Sequence, residues 1–272
     1  MSLVERFRRY AEGRAVPLGG RRFVSIENLV FLEEVRSTNE VARGLVEWIL
    51  NESESLAPTA VIAAEQTHGH GRAGHTWTSP RGTSLAVSLI VPWPEGPERV
   101  RLPVAMGFAL ARGLTERFGV DVRLKWPNDL MHGKKKLGGM LVEARTGDEG
   151  EGFAVVGIGL NLRSTRKELD AAGLPDATSF ALAGAPASAL EEETPFVTLL
   201  EILDAAVANP VDSIPEAFEA ISAHAPGDAL AVSDAGRGRL EGRFVGVTDD
   251  GALRLATADG VETIVSGDVT TF

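Results

Sequence analysis

The 272-residue sequence contains no cysteine. This absence excludes structural disulfides, zinc sites ligated by cysteine, and catalysis by a cysteine nucleophile. It is typical of proteins that work in a reducing compartment. We therefore expect a cytoplasmic protein whose chemistry depends on other side chains.

Long apolar runs are also missing. The N-terminus has no apolar signal-peptide core, and no segment approaches the roughly 18 apolar residues of a membrane helix. We expect neither a secretory signal nor a membrane span.

Net positive charge is absent too, since the formal net charge is −11. This balance argues against a general nucleic-acid surface, which needs a basic face to neutralise phosphates.

The composition that remains, 44% hydrophobic and 24% charged, is that of a globular protein. Ser37 and Glu40 form a candidate capping box, and apolar residues at helical spacing follow over residues 41–49. Apolar patterns predict strands at 30–32, 60–64, 84–91, 120–126, 137–144 and 153–162, and helices at 99–118, 194–207 and 215–224. After residue 226, short alternating segments separated by Gly and Asp turns have the rhythm of a small β-barrel. We therefore expect an α+β chain with a domain boundary near residue 225.

A glycine-rich segment, residues 66–81, is expected to be a loop. Within it, residues 69–74 match the dinucleotide pattern G-x-G-x-x-G. That fingerprint must open a helix, and the residues that follow do not start one, so we reject the dinucleotide interpretation. Glycines still let backbone N–H groups approach an anion, and Arg72, His70 and His75 supply positive charge. From this pattern alone, an anion clamp and an unspecialised surface loop both stay open.

Three histidines in this segment, His68, His70 and His75, do not predict a metal site. Imidazole is a common ligand, but a glycine-rich loop does not preorganise ligands, and no carboxylate at ligand spacing is nearby. We assign no metal ligand to the protein.

Two further segments place polar residues at strand ends. Residues 125–129 end one predicted strand, and residues 134–139 begin the next after a turn at Gly133. The lysines at 134–136 are compatible with a solvated turn, whereas the pair Gly138-Gly139 inside an apolar strand indicates close approach of a ligand or another backbone. Residues 157–161 repeat this theme. Tight packing and a narrow ligand slot both explain these glycines.

Together and in order, these segments closely resemble the biotin–protein ligases. The resemblance runs from about residue 30 to the C-terminus, and its most specific part is K-W-P-N-D followed by K-L-G-G. It rests on Ser37-Thr38-Asn39, Gln66, Gly69-His70-Gly71-Arg72, Gly74, Trp77, Lys125-Trp126-Pro127-Asn128-Asp129, Lys136-Leu137-Gly138-Gly139, Gly157-Ile158-Gly159-Leu160-Asn161 and Gly267-Asp268-Val269.

The resemblance implies a mixed-sheet catalytic domain of the biotin/lipoate ligase type at residues 29–225. A small SH3-like β-barrel would follow at residues 226–272, and residues 1–28 stay unassigned. It also implies a two-step reaction with ATP, Mg²⁺ and biotin. Biotin is first activated to biotinyl-5'-AMP and is then transferred to one lysine of a biotin carboxyl carrier protein domain.

The family's functional residues carry over onto matching positions. The implied catalytic residues are Lys136, Arg72 and Asp129. The implied biotin-binding residues are Ser37, Thr38, Asn39, Gln66, His70, Gly71, Arg72, Lys136, Gly139 and Gly157. The implied ATP- or adenylate-binding residues are Arg72, Ala73, His75, Trp77, Lys125, Asn128, Lys136 and Asn161. The glycine-rich loop would fold over the adenylate and protect it from water.

The loop departs from the family pattern at three positions. Arginine is usual where this chain has His70, and arginine or lysine is common at Ala73 and His75. Because histidine titrates near neutrality, we expect phosphate affinity to vary between about pH 5.5 and 7.5.

Several alternatives and partner assignments follow from the resemblance. Some members repress biotin genes through an N-terminal winged helix-turn-helix, but only about 30 residues precede the match, so we expect no specific DNA binding. Homodimers are common in the family, although the sequence does not identify the pairing edge. A lipoate–protein ligase-like enzyme and a non-catalytic biotin or biotinyl-AMP sensor stay as alternatives.

Overall fold

The computed structural model describes residues 23–51, 57–74, 76–92, 98–146, 152–191, 194–234 and 238–271. Two separate sheets organise these residues. Most of the unassigned N-terminal segment lies outside the described residues. Of the described helices, none combines the length and apolar character needed to cross a bilayer.

The larger sheet has eight strands and is mixed, as predicted. Its first two strands pair in parallel and its other pairings are antiparallel. The strands are β1 (Asn28–Val35), β2 (Thr59–His70), β3 (Thr76–Ser79), β4 (Ser84–Pro92), β5 (Arg123–Lys125), β6 (Asp129–His132), β7 (Lys135–Thr146) and β8 (Gly152–Asn161). Their spatial order is β1-β2-β4-β8-β7-β6-β5, with β3 paired to β2.

Helices cover both faces of this sheet. They are α1 (Thr38–Asn51), α2 (Glu98–Phe118), α3 (Arg166–Ala171), α4 (Thr194–Ala208) and α5 (Ile214–Ile221). Successive strand residues point to opposite faces, and Val61 packs in one apolar cluster while Ala60 and Ile62 pack in the other. Helix α1 lies over β2, β4 and β8, and α2 packs against α4 and α5. The sheet therefore carries a core on each side.

The start of α1 follows the predicted cap. The Glu40 amide donates to Ser37 Oγ at 3.4 Å, and the Val41 amide donates to the Ser37 carbonyl at 3.2 Å. Ser37 is thereby fixed at the entrance of the helix, which leaves Thr38 and Asn39 in its first turn. The capping box that closes reciprocally is at Thr165 and Glu168 on α3, a short helix that the sequence pattern did not predict.

The glycine-rich segment is a hairpin and not the expected loop. Strand β2 continues to His70, a 3₁₀ turn occupies Arg72–Gly74, and β3 returns alongside β2. Gln66 pairs with Ser79 and Gly69 with Trp77, with a register irregularity between them. The backbone N–H and C=O groups of this segment therefore form hydrogen bonds between paired strands. Glycine content alone does not predict this pairing. The strand predicted at 120–126 is shorter than expected, spanning only β5.

The smaller sheet corrects the barrel prediction. Its five strands are β9 (Ala229–Asp234), β10 (Gly238–Val247), β11 (Leu253–Thr257), β12 (Gly260–Ile264) and β13 (Asp268–Thr271). Their order is β12-β11-β10-β9-β13, and every pairing is antiparallel. Among the described residues the two edge strands do not pair with each other, so the sheet is open and does not close into an SH3-like barrel. The boundary near residue 225 stays a prediction.

Candidate active site

A cavity of about 400 Å³ opens where the start of α1, the β2–β3 hairpin, strands β6 to β8 and strand β13 meet. It gathers fourteen of the positions that the sequence motifs singled out. They are Ser37, Thr38, Asn39, Gln66, His70, Gly71, Arg72, Trp77, Lys125, Asn128, Asp129, Lys136, Gly139 and Gly157. Residues separated by up to 120 positions along the chain therefore share one concave surface.

The inner wall of the cavity is a buried polar network, which we call the floor: Thr38, Asn39, Gln66, Ser88 and Gly157. The Thr38 amide and hydroxyl both lie within hydrogen-bond distance of Gln66 Oε1, at 2.9 and 3.2 Å. Ser88 Oγ lies 2.8 Å from Thr38 Oγ1 and 2.6 Å from Asn39 Oδ1. These side chains are nearly inaccessible to solvent. Because each one holds a neighbour, the floor is ordered before any ligand enters.

Two glycines on β8 leave space for the Asn39 carboxamide and for the indole ring of Trp77. A Cβ added to Gly157 would overlap the carboxamide of Asn39, and one added to Gly159 would overlap the indole of Trp77. Both glycines lie in the middle of β8, where a side chain would otherwise project into the cavity. The sequence interpretation of these glycines as marks of close approach is therefore correct.

Lys136 is one of the cationic residues that line the cavity. Its Nζ lies 2.5 Å from Asp129 Oδ1 and 6.0 Å from the centroid of the Trp77 ring. Its backbone is fixed on both sides, because its amide donates to the Asp176 carbonyl and its carbonyl accepts from the Thr178 amide, each at 2.8 Å. The ammonium is thus held between a carboxylate and an aromatic face, while the side chain stays partly exposed to the cavity.

The two most specific motifs meet through strand pairing. Asp129 at the start of β6 pairs with Gly139 on β7. Asn128 forms two hydrogen bonds with the backbone of Met140. The Asn128 side-chain Nδ2 donates to the Met140 carbonyl at 2.5 Å, and the Asn128 backbone carbonyl accepts from the Met140 amide at 3.0 Å. Asn128 lines the cavity while it also fixes the register that brings Asp129 and Lys136 together.

The hairpin tip forms an outer cover, which we call the lid: residues 69–77, of which 75 lies outside the described residues. Arg72 reaches across to the smaller sheet, donating to Ser266 Oγ at 2.9 Å and to the Gly267 carbonyl at 3.3 Å. His70 Nε2 lies 2.9 Å from Glu40 Oε1, with the imidazole about half exposed. The hydrogen bond from His70 is the largest cause that lowers the pKa of Glu40, helped by the charges of Arg36 and Arg43. The lid is therefore tethered at two points by solvent-exposed contacts.

One predicted position, Asn161, is not among the residues that line the cavity. Asn161 is buried at the end of β8, and its Nδ2 donates to the Thr178 carbonyl at 3.1 Å. Its amide is used to fix the chain that supports Lys136, and it does not face the cavity. His75 lies outside the described residues, and so does the side chain of Ala73.

Ten further residues line the cavity without a predicted role, although six of them lie within the motifs that carry the family resemblance. The additional lining residues are Thr76, Trp126, Pro127, Met140, Leu141, Ile158, Gly159, Asp268, Val269 and Thr270. The last three come from β13, so the smaller sheet supplies part of the wall. Trp126 ties the two sheets together, because its Nε1 donates to the Gly251 carbonyl at 3.0 Å. The G-D-V motif was the available signal for β13.

Within the part of the chain that the structure describes, no three His, Asp or Glu side chains lie close enough to hold a metal ion. Asp129 and Asp268 are the carboxylates among the cavity lining.

Comparison with known proteins connects this cavity to a family. Residues 31–161 match the model of the biotin/lipoate A/B protein ligase family, and residues 231–270 match the biotin protein ligase C-terminal domain. The chain is 27% identical over 254 residues to the bifunctional ligase/repressor BirA of Bacillus subtilis, covering 89% of this chain and 74% of that one. It is 29% identical over 223 residues to the biotin–[acetyl-CoA-carboxylase] ligase of Paracoccus denitrificans, covering 77% and 88%. The structure of Aquifex aeolicus biotin protein ligase with biotin and ATP superposes with a TM-score of 0.69 at 25% identity, covering 91% and 100%.

Proposed function

The chain belongs to the biotin protein ligases of the biotin/lipoate A/B protein ligase family, and from this premise we propose that it biotinylates a carrier protein in two ATP-dependent steps. Biotin is activated to biotinyl-5'-AMP and then passes to one lysine of a biotin carboxyl carrier protein domain. The observation that carries the proposal is the position of Lys136. Its ammonium stands beside Asp129 in a cavity that the buried polar floor and Arg72 of the lid also line.

In the first step, an oxygen of the biotin carboxylate attacks the α-phosphorus of ATP. A new P–O bond forms between biotin and the α-phosphorus. The bond from the α-phosphorus to the oxygen shared with the β-phosphorus breaks, and pyrophosphate leaves. Two anions must approach each other, so cationic groups are needed where negative charge concentrates. Lys136 is positioned for the carboxylate and α-phosphate oxygens, and Arg72 for the phosphate once it leaves Ser266. Trp77, Lys125 and Asn128 are the candidate contacts of the nucleotide.

In the second step, the ε-amine of the carrier lysine attacks the carbonyl carbon of the mixed anhydride. The C–N bond forms, the C–O bond to phosphate breaks, AMP leaves, and the amine gives up a proton. Asp129 is the carboxylate at the reacting end of the cavity, and we assign it the orientation of the incoming amine. Its short contact with Lys136 couples the two groups.

The donor set fits a magnesium ion that enters with the nucleotide. Mg²⁺ in ATP-using sites is usually held by one or two carboxylates together with substrate phosphates, and not by a protein-only cage. The described residues provide no such cage, and Asp129 is the carboxylate nearest Lys136. When bound with ATP, the ion would neutralise phosphate charge.

The floor argues against a lipoate ligase as the alternative. The dithiolane ring of lipoate has no N–H or C=O group, so it would gain no hydrogen bond from the polar groups of Thr38, Asn39 and Gln66. A ureido ring offers two N–H donors and one carbonyl acceptor. A passive sensor is also disfavoured, because both Lys136 and Arg72 line the cavity.

The function is tested with the purified chain, MgATP and an acceptor domain from a biotin-dependent carboxylase. Biotin should trigger pyrophosphate release and labelling of one acceptor lysine, whereas lipoate at the same concentration should give neither. Adenylation of lipoate in preference to biotin would assign the alternative. Biotin binding without pyrophosphate release would make the chain a sensor.

Cytoplasmic location and pairing of two copies through a sheet edge stay predictions. Absence of specific DNA binding also stays a prediction, and a sequence-specific shift of DNA at moderate salt would contradict it.

A further inference from the structure

Two residues that no family motif marks, Ser88 and Glu143, contact opposite ends of the Asn39 carboxamide. Asn39 Nδ2 donates to Glu143 Oε2 at 2.9 Å, and Ser88 Oγ lies 2.6 Å from Asn39 Oδ1. Ser88 is on β4 and fully buried, and Glu143 is on β7. The carboxamide is thus held from two different strands at once.

Glu143 determines which end of the carboxamide faces which way. A carboxylate only accepts hydrogen bonds, so Asn39 must turn its NH₂ group towards it. The other oxygen of Glu143 accepts from Arg43 Nη1 at 3.4 Å, so the carboxylate is itself held from α1. Asn39 Oδ1 is therefore directed to the side of Ser88 and Gly157, where the cavity lies.

The single hydroxyl proton of Ser88 completes this arrangement by donating to one neighbour. Its hydroxyl has two oxygen neighbours, Asn39 Oδ1 and Thr38 Oγ1, and can donate to only one at a time. The Asn39 oxygen can only accept, whereas the Thr38 hydroxyl can donate in return. Donation from Ser88 to Asn39, the shorter contact, leaves the second lone pair of Oδ1 for a ligand.

We propose that Ser88 and Glu143 are positioning residues that hold Asn39 as a hydrogen-bond acceptor towards the cavity, and so select ligands whose ring presents an N–H donor. The ureido ring of biotin has this property and a dithiolane ring does not, so the inference rests on the proposed function. Ser88 and Glu143 act through Asn39 and need not touch the ligand.

The first test removes each support separately. Glu143→Gln allows the Asn39 carboxamide to turn over, and Ser88→Ala removes the donor to its oxygen. Each variant should raise the KM for biotin about tenfold, the size of one lost hydrogen bond to a ligand, with kcat and the KM for ATP within about twofold. Ser84→Ala is the matched control, because Ser84 is a buried serine on the same strand, four residues away. It should leave the KM for biotin unchanged.

The second test exchanges the two groups and excludes a merely structural role. Asn39→Asp alone opposes two carboxylates and should weaken biotin binding by at least about thirtyfold. In the double variant Asn39→Asp/Glu143→Gln, the new amide donates to the new carboxylate, which still presents an acceptor to the cavity. Biotin affinity should return to within about threefold of wild type, a strongly non-additive result.

The outcomes separate the inference from the function on which it rests. If wild type releases pyrophosphate with biotin but Glu143→Gln and Ser88→Ala both keep a wild-type KM for biotin, the positioning role is wrong. Additive losses in the double variant would also overturn it. If wild type itself fails with biotin, the proposed function is wrong. Should Ser88→Ala not fold, Glu143→Gln and the exchange decide, because Glu143 is partly exposed.

Discussion

The floor and the lid bound the same cavity but are built in opposite ways. Floor side chains are almost fully buried and hydrogen-bond one another through Thr38, Asn39, Gln66 and Ser88. In the lid, His70 is about half exposed and Arg72 and Trp77 are half-buried, and the tethers reach the partly exposed Glu40 and the exposed Ser266. Buried networks are rigid, whereas surface ion pairs typically contribute less than about 1 kcal/mol.

This difference assigns different tasks to the two regions. A preformed floor can recognise a neutral ring without reorganising, because its polar groups are already oriented. A weakly tethered lid can open for entry and then bring Arg72 onto phosphate when charge develops. Substitutions in the floor should therefore act mainly on biotin affinity, and substitutions in the lid on retention of the adenylate.

Lys136 lies where floor and lid meet, so its loss should affect both regions. Lys136→Ala should lower the rate of biotin-dependent pyrophosphate release about a thousandfold or more, as expected when a cation at the reacting centre is removed. Lys135→Ala is the control, because that lysine is exposed, donates to the Pro175 carbonyl, and is not among the residues that line the cavity. Single-turnover adenylation measures the rate, and wild-type-like adenylation in Lys136→Ala would remove this lysine from the chemistry.

Two glycine substitutions, one in the floor and one in the lid, should act through different physical effects. Gly157→Ala should weaken biotin binding about a hundredfold, because the added Cβ overlaps the Asn39 carboxamide of the floor. Gly74 in the lid has a φ of +79° and open space around the Cβ position. Gly74→Ala should cost about 1 kcal/mol of folding free energy through its backbone, with biotin affinity unchanged.

Calorimetric titration with biotin and thermal unfolding measure these two effects. Equal losses of biotin affinity in the two variants would contradict the division between a packed floor and an open lid.

The sequence pattern predicted those parts of the site that depend on residues close together in the chain. Apolar periodicity predicted α1 and most strands, and the motif around Lys136 indicated the central cation. The contacts of Asn39 could not be read in this way, because Glu143 is 104 positions away and becomes a neighbour only when α1 crosses β7. Ser88 lies within an uninterrupted buried strand, where a serine carries no distinguishing signal.

Two further contacts show the same dependence on distant residues. Asn161 ends a glycine-containing strand and was expected to contact the nucleotide, and in the structure its amide donates to the Thr178 carbonyl. The partners of Arg72 lie about 195 positions away on the connection into β13. Long-range pairing determines such contacts, and local patterns do not encode it.

Arg72 allows the lid to be tested without disturbing the floor. Arg72→Ala should accelerate release of biotinyl-AMP about tenfold to a hundredfold, because a charge-assisted contact to phosphate is lost. Affinity for biotin alone should change less than about fivefold. Ser266→Ala removes only the exposed tether and should alter release less than about threefold. Rapid-quench measurement of free adenylate gives the rates, and equal effects of the two substitutions would make the tether, not the phosphate contact, the important interaction.

The smallest expected effect concerns the other tether, between His70 and Glu40. The pKa of Glu40 is held below its ordinary value of 4.5, chiefly by the hydrogen bond from His70. A lowered carboxyl pKa contributes stability above the ordinary value and loses it only as pH falls through the lower one, so the carboxylate stays charged above about pH 4.5. The contact should therefore weaken only in acid, when protonation removes the charge of the carboxylate. Arg36 and Arg43 also face Glu40 and lower its pKa through their charges.

At neutral pH the Glu40 carboxylate is charged, so Glu40→Gln removes the charged partner of His70. This change should speed dissociation of biotinyl-AMP by no more than about fivefold, since an exposed pair contributes less than about 1 kcal/mol. The same loss should appear in wild type as pH falls below about 4.5, and Glu40→Gln should not show this fall. The dissociation rate of labelled biotinyl-AMP measures the effect at constant ionic strength. A wild-type rate in Glu40→Gln at neutral pH would contradict the tether, whereas an unchanged acid response in that variant would assign the titration to a group outside this pair. Either result would bear on the lid alone, because the floor residues carry no ionisable side chain.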